Sequence, residues 1–309
     1  TTTISSGGDF FSKFAFAGIL VDEAAQATEP TSLVPLMSGA AAFACIGDDR
    51  QLPATVKTQV ARARGLDRSL FERLVSALGA EVAAGDGFVQ LDVQRRMHSS
   101  IADFPAFRFY GSALSNGISD SDRPPVPGIT WPERGACRVL FVDLAGRQRE
   151  ESSGTSTMNR GEAQLLASTV AHLMQVREEG AVRAEDIAVI TGYAAQRDLI
   201  RQEIARTTKR SDPARQVRID TVDGFQGMER DLVLVSSTRS NARDEVGFLR
   251  DPRRTNVLLT RARRGLIVFG DAQTLKNEES VWEPWLKWVE SRGGLIGAQA
   301  FEHMQVVTY

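Results

Sequence analysis

Three observations predict an α/β fold of two parallel-sheet domains. Short apolar runs alternate with stretches of helical period along nearly the whole chain. Two of the early runs end in polar signatures, Gly18–Val21 in Asp22-Glu23 and Ala42–Ile46 in Gly47-Asp48. In open parallel sheets, ligands bind beyond the carboxyl ends of strands, so these are the places to seek chemistry. With 309 residues, at ~150 per domain, the chain has room for two cores.

Composition narrows the class. Hydrophobic residues make up 42% and charged residues 25%, values of a globular chain and not of a low-complexity one. The 37 basic and 39 acidic side chains give a net charge of −2, which does not announce a nucleic-acid binder by bulk charge. The longest apolar runs, Phe14–Val21 and Gly39–Gly47, fall well short of the ~20 residues that a membrane helix needs. No signal peptide is recognisable, and no membrane partner is expected. Cys45 and Cys137 are far apart in apolar stretches, and His98, His172 and His303 supply no zinc spacing. A reduced, intracellular compartment is expected.

In the first domain, Thr31–Met37 reads as a helix with Pro30 near its start, Ser69–Val75 as another, and Phe88–Leu91 as a strand after the Gly85-Asp86-Gly87 turn. The boundary is expected near Leu91–Gln94, giving domains at 1–92 and 93–295 and a tail at 296–309. In the second, Leu166, Val170, Leu173 and Met174 mark a helix over Glu162–Arg177. Strands follow at Ile187–Ile190, Val217–Val222, Leu232–Ser236 and Leu266–Phe269. Helices are expected at Gln196–Arg206, Asn256–Arg263 and Val281–Glu290. The Pro-rich Arg123–Gly128 reads as a surface loop, and Leu295–Tyr309 carries no clear signal.

Ile19-Leu20-Val21-Asp22-Glu23 has the form of a Walker B element: an apolar strand fixing two adjacent carboxylates at its tip. One can hold Mg²⁺ and the other can take a proton from an attacking water. Alone, such a strand end is more often a plain junction. Its company changes the weighing. Asp22-Glu23-Ala24-Ala25-Gln26-Ala27 is followed by Gly47-Asp48-Asp49-Arg50-Gln51-Leu52-Pro53 and Gln94-Arg95-Arg96-Met97-His98. Then come Gln226-Gly227-Met228-Glu229 and Asn256-Val257-Leu258-Leu259-Thr260-Arg261-Ala262-Arg263. In this order they resemble the motifs of superfamily-one helicases, and among these the up-frameshift RNA helicases of nonsense-mediated decay.

The resemblance implies two RecA-like domains, the first incomplete, and ATP hydrolysis with Mg²⁺ coupled to 5′-to-3′ movement on single-stranded RNA. It implies Asp22 as the Mg²⁺ carboxylate, Glu23 as general base, and Gln51 as the γ-phosphate sensor. Arg96 and Arg261 correspond to the two arginines that reach the γ-phosphate. Arg95 stands where relatives carry an adenine-stacking tyrosine, and Glu229 matches a ribose contact. Thr191-Gly192-Tyr193 with Gln196 is similar to a Thr-Pro-Tyr element, which puts Tyr193 among the cofactor contacts. Thr3, in a strand, and Thr221 are the implied nucleic-acid contacts. Arginine suits the phosphate role because its planar fork is permanently charged, and one inserted arginine is worth ~10³–10⁵ in rate. Carboxylates of the first domain and guanidinium groups of the second are expected to face one another across a crevice. Implied too are partners in RNA surveillance and a cytoplasmic location, with the nucleus as the alternative.

Plainer roles stand beside these. Gln51 also suits a turn, and Arg96 a surface ion pair. Arg261 sits in a basic run with Arg250, Arg253, Arg254, Arg263 and Arg264 against Asp251. Glu229 also suits a pair with Arg230 or a lysine. His98 reads as structural, Phe104, Phe107 and Phe109 as core, and Thr3 and Thr221 as ordinary strand residues.

No Gly-x-x-x-x-Gly-Lys-Ser/Thr loop occurs in this sequence. With Thr1 at the start, truncation is the expected cause, and the chain by itself is expected to be inactive. A DNA helicase of the same superfamily and an ATPase-inactive RNA-binding scaffold are the alternatives. A metal-dependent nuclease fits poorly, since the Asp22-Glu23 pair has no obvious lysine partner.

Overall fold

The computed structural model describes residues 2–78, 87–145, 149–154 and 156–306. Two units divide the chain, Thr1–Leu91 and Asp92–Tyr309.

In the first unit, Gly18–Val21 (β1) and Ala42–Cys45 (β2) pair in parallel, Val21 opposite Cys45. Between them runs α1, Glu29–Leu36, with Pro30 in its first turn, where a missing N–H costs nothing. Helices α2 (Gln59–Ala63) and α3 (Leu70–Leu78) follow. Thr3 lies in a turn before the 3₁₀ helix Ser5–Gly7, not in the strand expected for it. The expected strand Phe88–Leu91 is absent as well. Val89 and Leu91 are 75% and 78% exposed, and an apolar alternation becomes a strand only where an edge is present to pair with it. Gly85 and Asp86 of the turn before it lie outside the described residues.

The second unit opens with Val93–Gln94 (β3), paired in parallel with Ser115–Asn116 (β4) around α4, Ser99–Tyr110. Strand β5 (Val139–Asp143) precedes the hairpin Glu151–Ser153 (β6) and Ser156–Met158 (β7). Next come α5 (Arg160–Leu173), β8 (Ile187–Thr191), α6 (Ala194–Thr207), β9 (Arg218–Thr221), the short α7 (Val222–Phe225) and β10 (Arg230–Ser236). The chain continues through α8 (Pro252–Leu259), β11 (Ala262–Gly270), α9 (Ala272–Lys276), α10 (Trp282–Ser291), β12 (Leu295–Gly297) and α11 (Ala298–Val306). Among the described residues these strands form a six-stranded parallel sheet in the order β12-β5-β11-β10-β8-β9.

Both faces of that sheet are covered, as an all-parallel sheet requires. Leu140, Val142, Val189, Leu234, Ile267 and Phe269 share one core cluster with Leu166 and Val170 of α5 and Ile200 of α6. The alternate residues are equally buried and face the other way; Phe141 meets Trp285 of α10 with ring centroids 6.0 Å apart. Val126, inside the Pro-rich loop, is itself fully buried and accepts a hydrogen bond from the Trp131 indole at 3.1 Å.

Three further readings change. The helix expected over Asn256–Arg263 spans Pro252–Leu259 because the Asp251 side chain caps it and Pro252 starts it. Ala262 and Arg263 belong to β11. Residues 296–306 are no tail: β12 extends the sheet edge, and Ala298 and Phe301 are buried, Phe301 edge-on to Phe269 at 5.5 Å. Residues 307–309 lie outside the described residues. Of the three phenylalanines of α4, Phe104 is core, Phe109 is half-buried and Phe107 is 69% exposed. His98 is structural, its Nδ1 accepting the Ser100 N–H at 3.2 Å as the helix cap.

Candidate functional site

On the first unit, backbone hydrogen bonds carry the β1–β2 pairing past the strand ends. Ile46 N–H donates to Val21 O and Ala24 N–H to Ile46 O, both at 2.8 Å. Asp22, Glu23 and Asp48 therefore leave from the same end of adjacent parallel strands. Asp22 and Glu23 are exposed. Asp22 Oδ1 accepts the Glu23 N–H at 2.9 Å, and Glu23 Oε2 accepts the Gln26 amide at 2.7 Å. Glu23 has φ 52° and ψ 38°, a left-handed conformation that costs a non-glycine residue roughly 1 kcal/mol or more. In the turn that follows β2, Gln51 donates to Asp48 Oδ2 at 2.7 Å while Asp48 Oδ1 accepts the Arg50 N–H at 2.9 Å. Gly47 makes the crossing possible, since a Cβ there would sit 3.0 Å from the Ala25 nitrogen.

On the second unit, Glu229 gathers the charges. It lies one residue before β10, behind the turn at Gly227 (φ 74°). One carboxylate oxygen pairs with Arg96 Nε, while the other accepts Arg263 Nε at 2.8 Å and lies 2.7 Å from Arg263 Nη2. Burial pushes the Glu229 carboxyl up, but hydrogen bonds from Arg263 and Arg96, and their charges, hold it below the usual carboxylate range. Arg96 Nη1 also donates to Thr260 O at 2.9 Å. Its loop is braced: Gln94 Oε1 accepts the Arg96 and Met97 N–H groups at 3.0 and 2.8 Å, and Arg123 Nε donates to Arg96 O at 2.9 Å. Arg95 is exposed, its Nη1 on Gly117 O at 3.1 Å. Arg261 is 1% exposed, with Nε on Val257 O at 3.1 Å and Nη2 on Thr260 Oγ1 at 2.8 Å. Glu229, Arg261 and Arg263 thus lie at the amino ends of β10 and β11, where Arg96, just past the carboxyl end of β3 and next to Arg95, reaches Glu229 and the Thr260 carbonyl.

Tyr193 does not join them. It follows β8 at the carboxyl edge of the sheet, a strand length away; at ~3.3 Å per residue the seven residues of β10 span roughly 20 Å. Tyr193 is also 4% exposed. Its hydroxyl accepts from Arg239 Nη1 at 3.1 Å, and its ring lies 5.6 Å from that of Phe248. Tyr193 is thus packed at the opposite edge of the sheet from Glu229. Thr221, at the same carboxyl edge, accepts the Gly224 N–H at 3.3 Å as the cap of α7. Sequence reasoning passed over Arg263 as a partner of Glu229. Glu229 and Asp231 are two apart, flanking the Arg230–Ala262 register pair. That alternation opposite Arg263 would have exposed the contact had the strand pairing been known.

A six-stranded all-parallel sheet covered on both faces, with an acid-tipped strand pair in the preceding unit, defines a RecA-like α/β protein. The chain belongs to the AAA domain family: one AAA domain profile matches residues 66–273 and a second matches 1–59. It is a homologue of the regulators of nonsense transcripts, the up-frameshift type of superfamily-one helicase. The Drosophila melanogaster regulator of nonsense transcripts 1 homolog is 35% identical over 296 residues, covering 96% of this chain and 24% of that protein. The Arabidopsis thaliana counterpart is 38% identical over 274 residues, covering 88% and 21%. The ATP-dependent helicase NAM7 of Saccharomyces cerevisiae is 34% identical over 308 residues, covering 99% and 30%. The chain thus spans less than a third of the length of these relatives. The solved PRRSV helicase covers 84% of the chain at 16% identity and a TM-score of 0.40.

Proposed function

We propose that this chain is part of an ATP-driven motor that moves along single-stranded RNA in nonsense-mediated decay. The observation that carries this is the β1–β2 tip, where Asp22 and Glu23 just past one strand leave from the same end as Asp48 and Gln51 in the turn after the next. Similarity to proteins named as ATP-dependent helicases and regulators of nonsense transcripts supports the substrate class and the pathway.

Asp22 offers an exposed, hard oxygen donor on a rigid strand end, which fits Mg²⁺ bound through one or two carboxylates and phosphate oxygens. Bound there, the ion would neutralise charge on the phosphates. Glu23 takes the proton of the attacking water, and Gln51 orients toward the γ-phosphate from β2. Arg96 and Arg261 stabilise charge on the transferred group, and Arg95 lies over the base. Thr3 and Thr221 contact the strand's phosphates. The phosphate loop, which this sequence does not contain, must be supplied by polypeptide outside these residues. The cytoplasm is the proposed site of action, among other proteins of RNA surveillance.

The test is Glu23→Gln in a protein that includes the phosphate loop. ATP binding is expected to persist while turnover falls by ~10² or more. Unchanged hydrolysis would overturn the assignment. Comparing stimulation of hydrolysis by RNA and by DNA of the same sequence separates the RNA motor from a DNA motor.

A further inference from the structure

Glu229 touches two guanidinium groups, and this is not the arrangement of a residue waiting for a ribose. Its two oxygens are both engaged, one by Arg96 and one by Arg263. Neither pair is buried away from water: the side chains of Arg96, Glu229 and Arg263 keep 29%, 31% and 41% of their exposure. The pairing is therefore exchangeable at modest cost. Arg96 is half spent. Nε is on the carboxylate, Nη1 is on the Thr260 carbonyl, and Nη2 has no hydrogen-bond partner among the described residues. A carboxylate and a phosphate present the same oxygen edge to a guanidinium fork. An anion can thus meet Nη2 first and then take the carboxylate's place, while Thr260 keeps the arginine extended. Arg263 meanwhile holds Glu229 from the other side, backed by Asp231 at 3.6 Å, which also pairs with Arg264 at 3.3 Å.

We propose that Glu229 is a positioning residue for Arg96: it holds the guanidinium as a stand-in for a phosphate oxygen and yields it when a nucleoside triphosphate binds. Arg263 sets the strength of that hold by competing for the same carboxylate. The inference rests on the reading of Arg96 as a phosphate-binding arginine.

Two substitutions with opposite consequences test it, in a protein that includes the phosphate loop and with nucleic acid saturating. Glu229→Gln keeps the shape but removes the competing charge, so the KM for ATP is expected to fall about three- to tenfold with kcat changed less than KM. Arg263→Ala leaves the whole carboxylate to Arg96, so KM is expected to rise by a similar factor. A rise in KM for Glu229→Gln, as loss of a ribose contact would produce, overturns the proposal. So does movement of both variants in the same direction, as a merely structural role would produce. Glu23→Gln, run in parallel, keeps the two ideas apart. If it hydrolyses ATP like the wild type, the motor reading fails. If it is inert while the paired KM shifts are missing, only the role of Glu229 fails.

Discussion

Arg261 and Glu162 show how far a single residue's behaviour follows from its neighbours. Arg261 lies between α8 and β11, its guanidinium hydrogen-bonded to Val257 O and Thr260 Oγ1. In a protein that includes the phosphate loop, Arg261→Ala should cut nucleic-acid-stimulated ATPase by ~10³ while nucleotide binding stays measurable by equilibrium titration. Wild-type turnover would remove its assigned role. Glu162 is fully buried where α5 meets the end of β10. It accepts hydrogen bonds from Ser236 Oγ at 2.5 Å and Thr238 N–H at 2.8 Å. Burial pushes its pKa from 4.5 up to about 8 despite those donors. The folded chain therefore keeps a proton that the unfolded chain releases, and stability falls as pH rises from near 4.5 toward 8. Glu162→Gln should flatten that fall and raise stability at pH 7 by about 2–4 kcal/mol. Thermal melts at pH 5 and 7.5 check this; equal slopes for the two proteins would refute it. The placing of Asp22 and Glu23 at the tip of an apolar strand was legible because strand and motif are contiguous. The partner of Arg96 was not, since 133 residues separate it from Glu229.

Elements were legible where periodicity is long and illegible where pairing decides. Helices α5 and α6, with several turns of apolar spacing, lie within a few residues of their expected bounds. Phe88–Leu91 and Leu295–Gly297 invert expectation: the first has strand composition and no neighbour, the second little signal and an open sheet edge. β11 shows the same dependence in its packing. Gly265 leaves the room that Trp131 fills, and a Cβ there would lie 2.4 Å from the indole. Gly265→Ala should destabilise the second unit by about 1–3 kcal/mol, read from denaturant midpoints. A neutral result would mean that Trp131 can move aside.

At the scale of the molecule the two units differ in what each buries. The second buries apolar side chains on both faces of its sheet, so residues 92–309 alone should unfold in one cooperative transition by circular dichroism. The first shows a two-stranded parallel pair with Leu20 64% exposed and Phe14, Phe16 and Ile46 exposed nearby. Two strands rarely stand alone, and residues 1–91 expressed separately should give no such transition. A cooperative melt from that fragment would contradict the burial pattern. Taken alone, the sequence determined the α/β class and the ordered motifs, because short-range periodicity and contiguous residue types encode both. Only the tertiary structure decided that Glu229 pairs Arg96 with Arg263, and that Tyr193 is buried at the opposite edge of the sheet. Those facts depend on which strands lie side by side, a choice made by burial over long sequence separations and not by any local pattern.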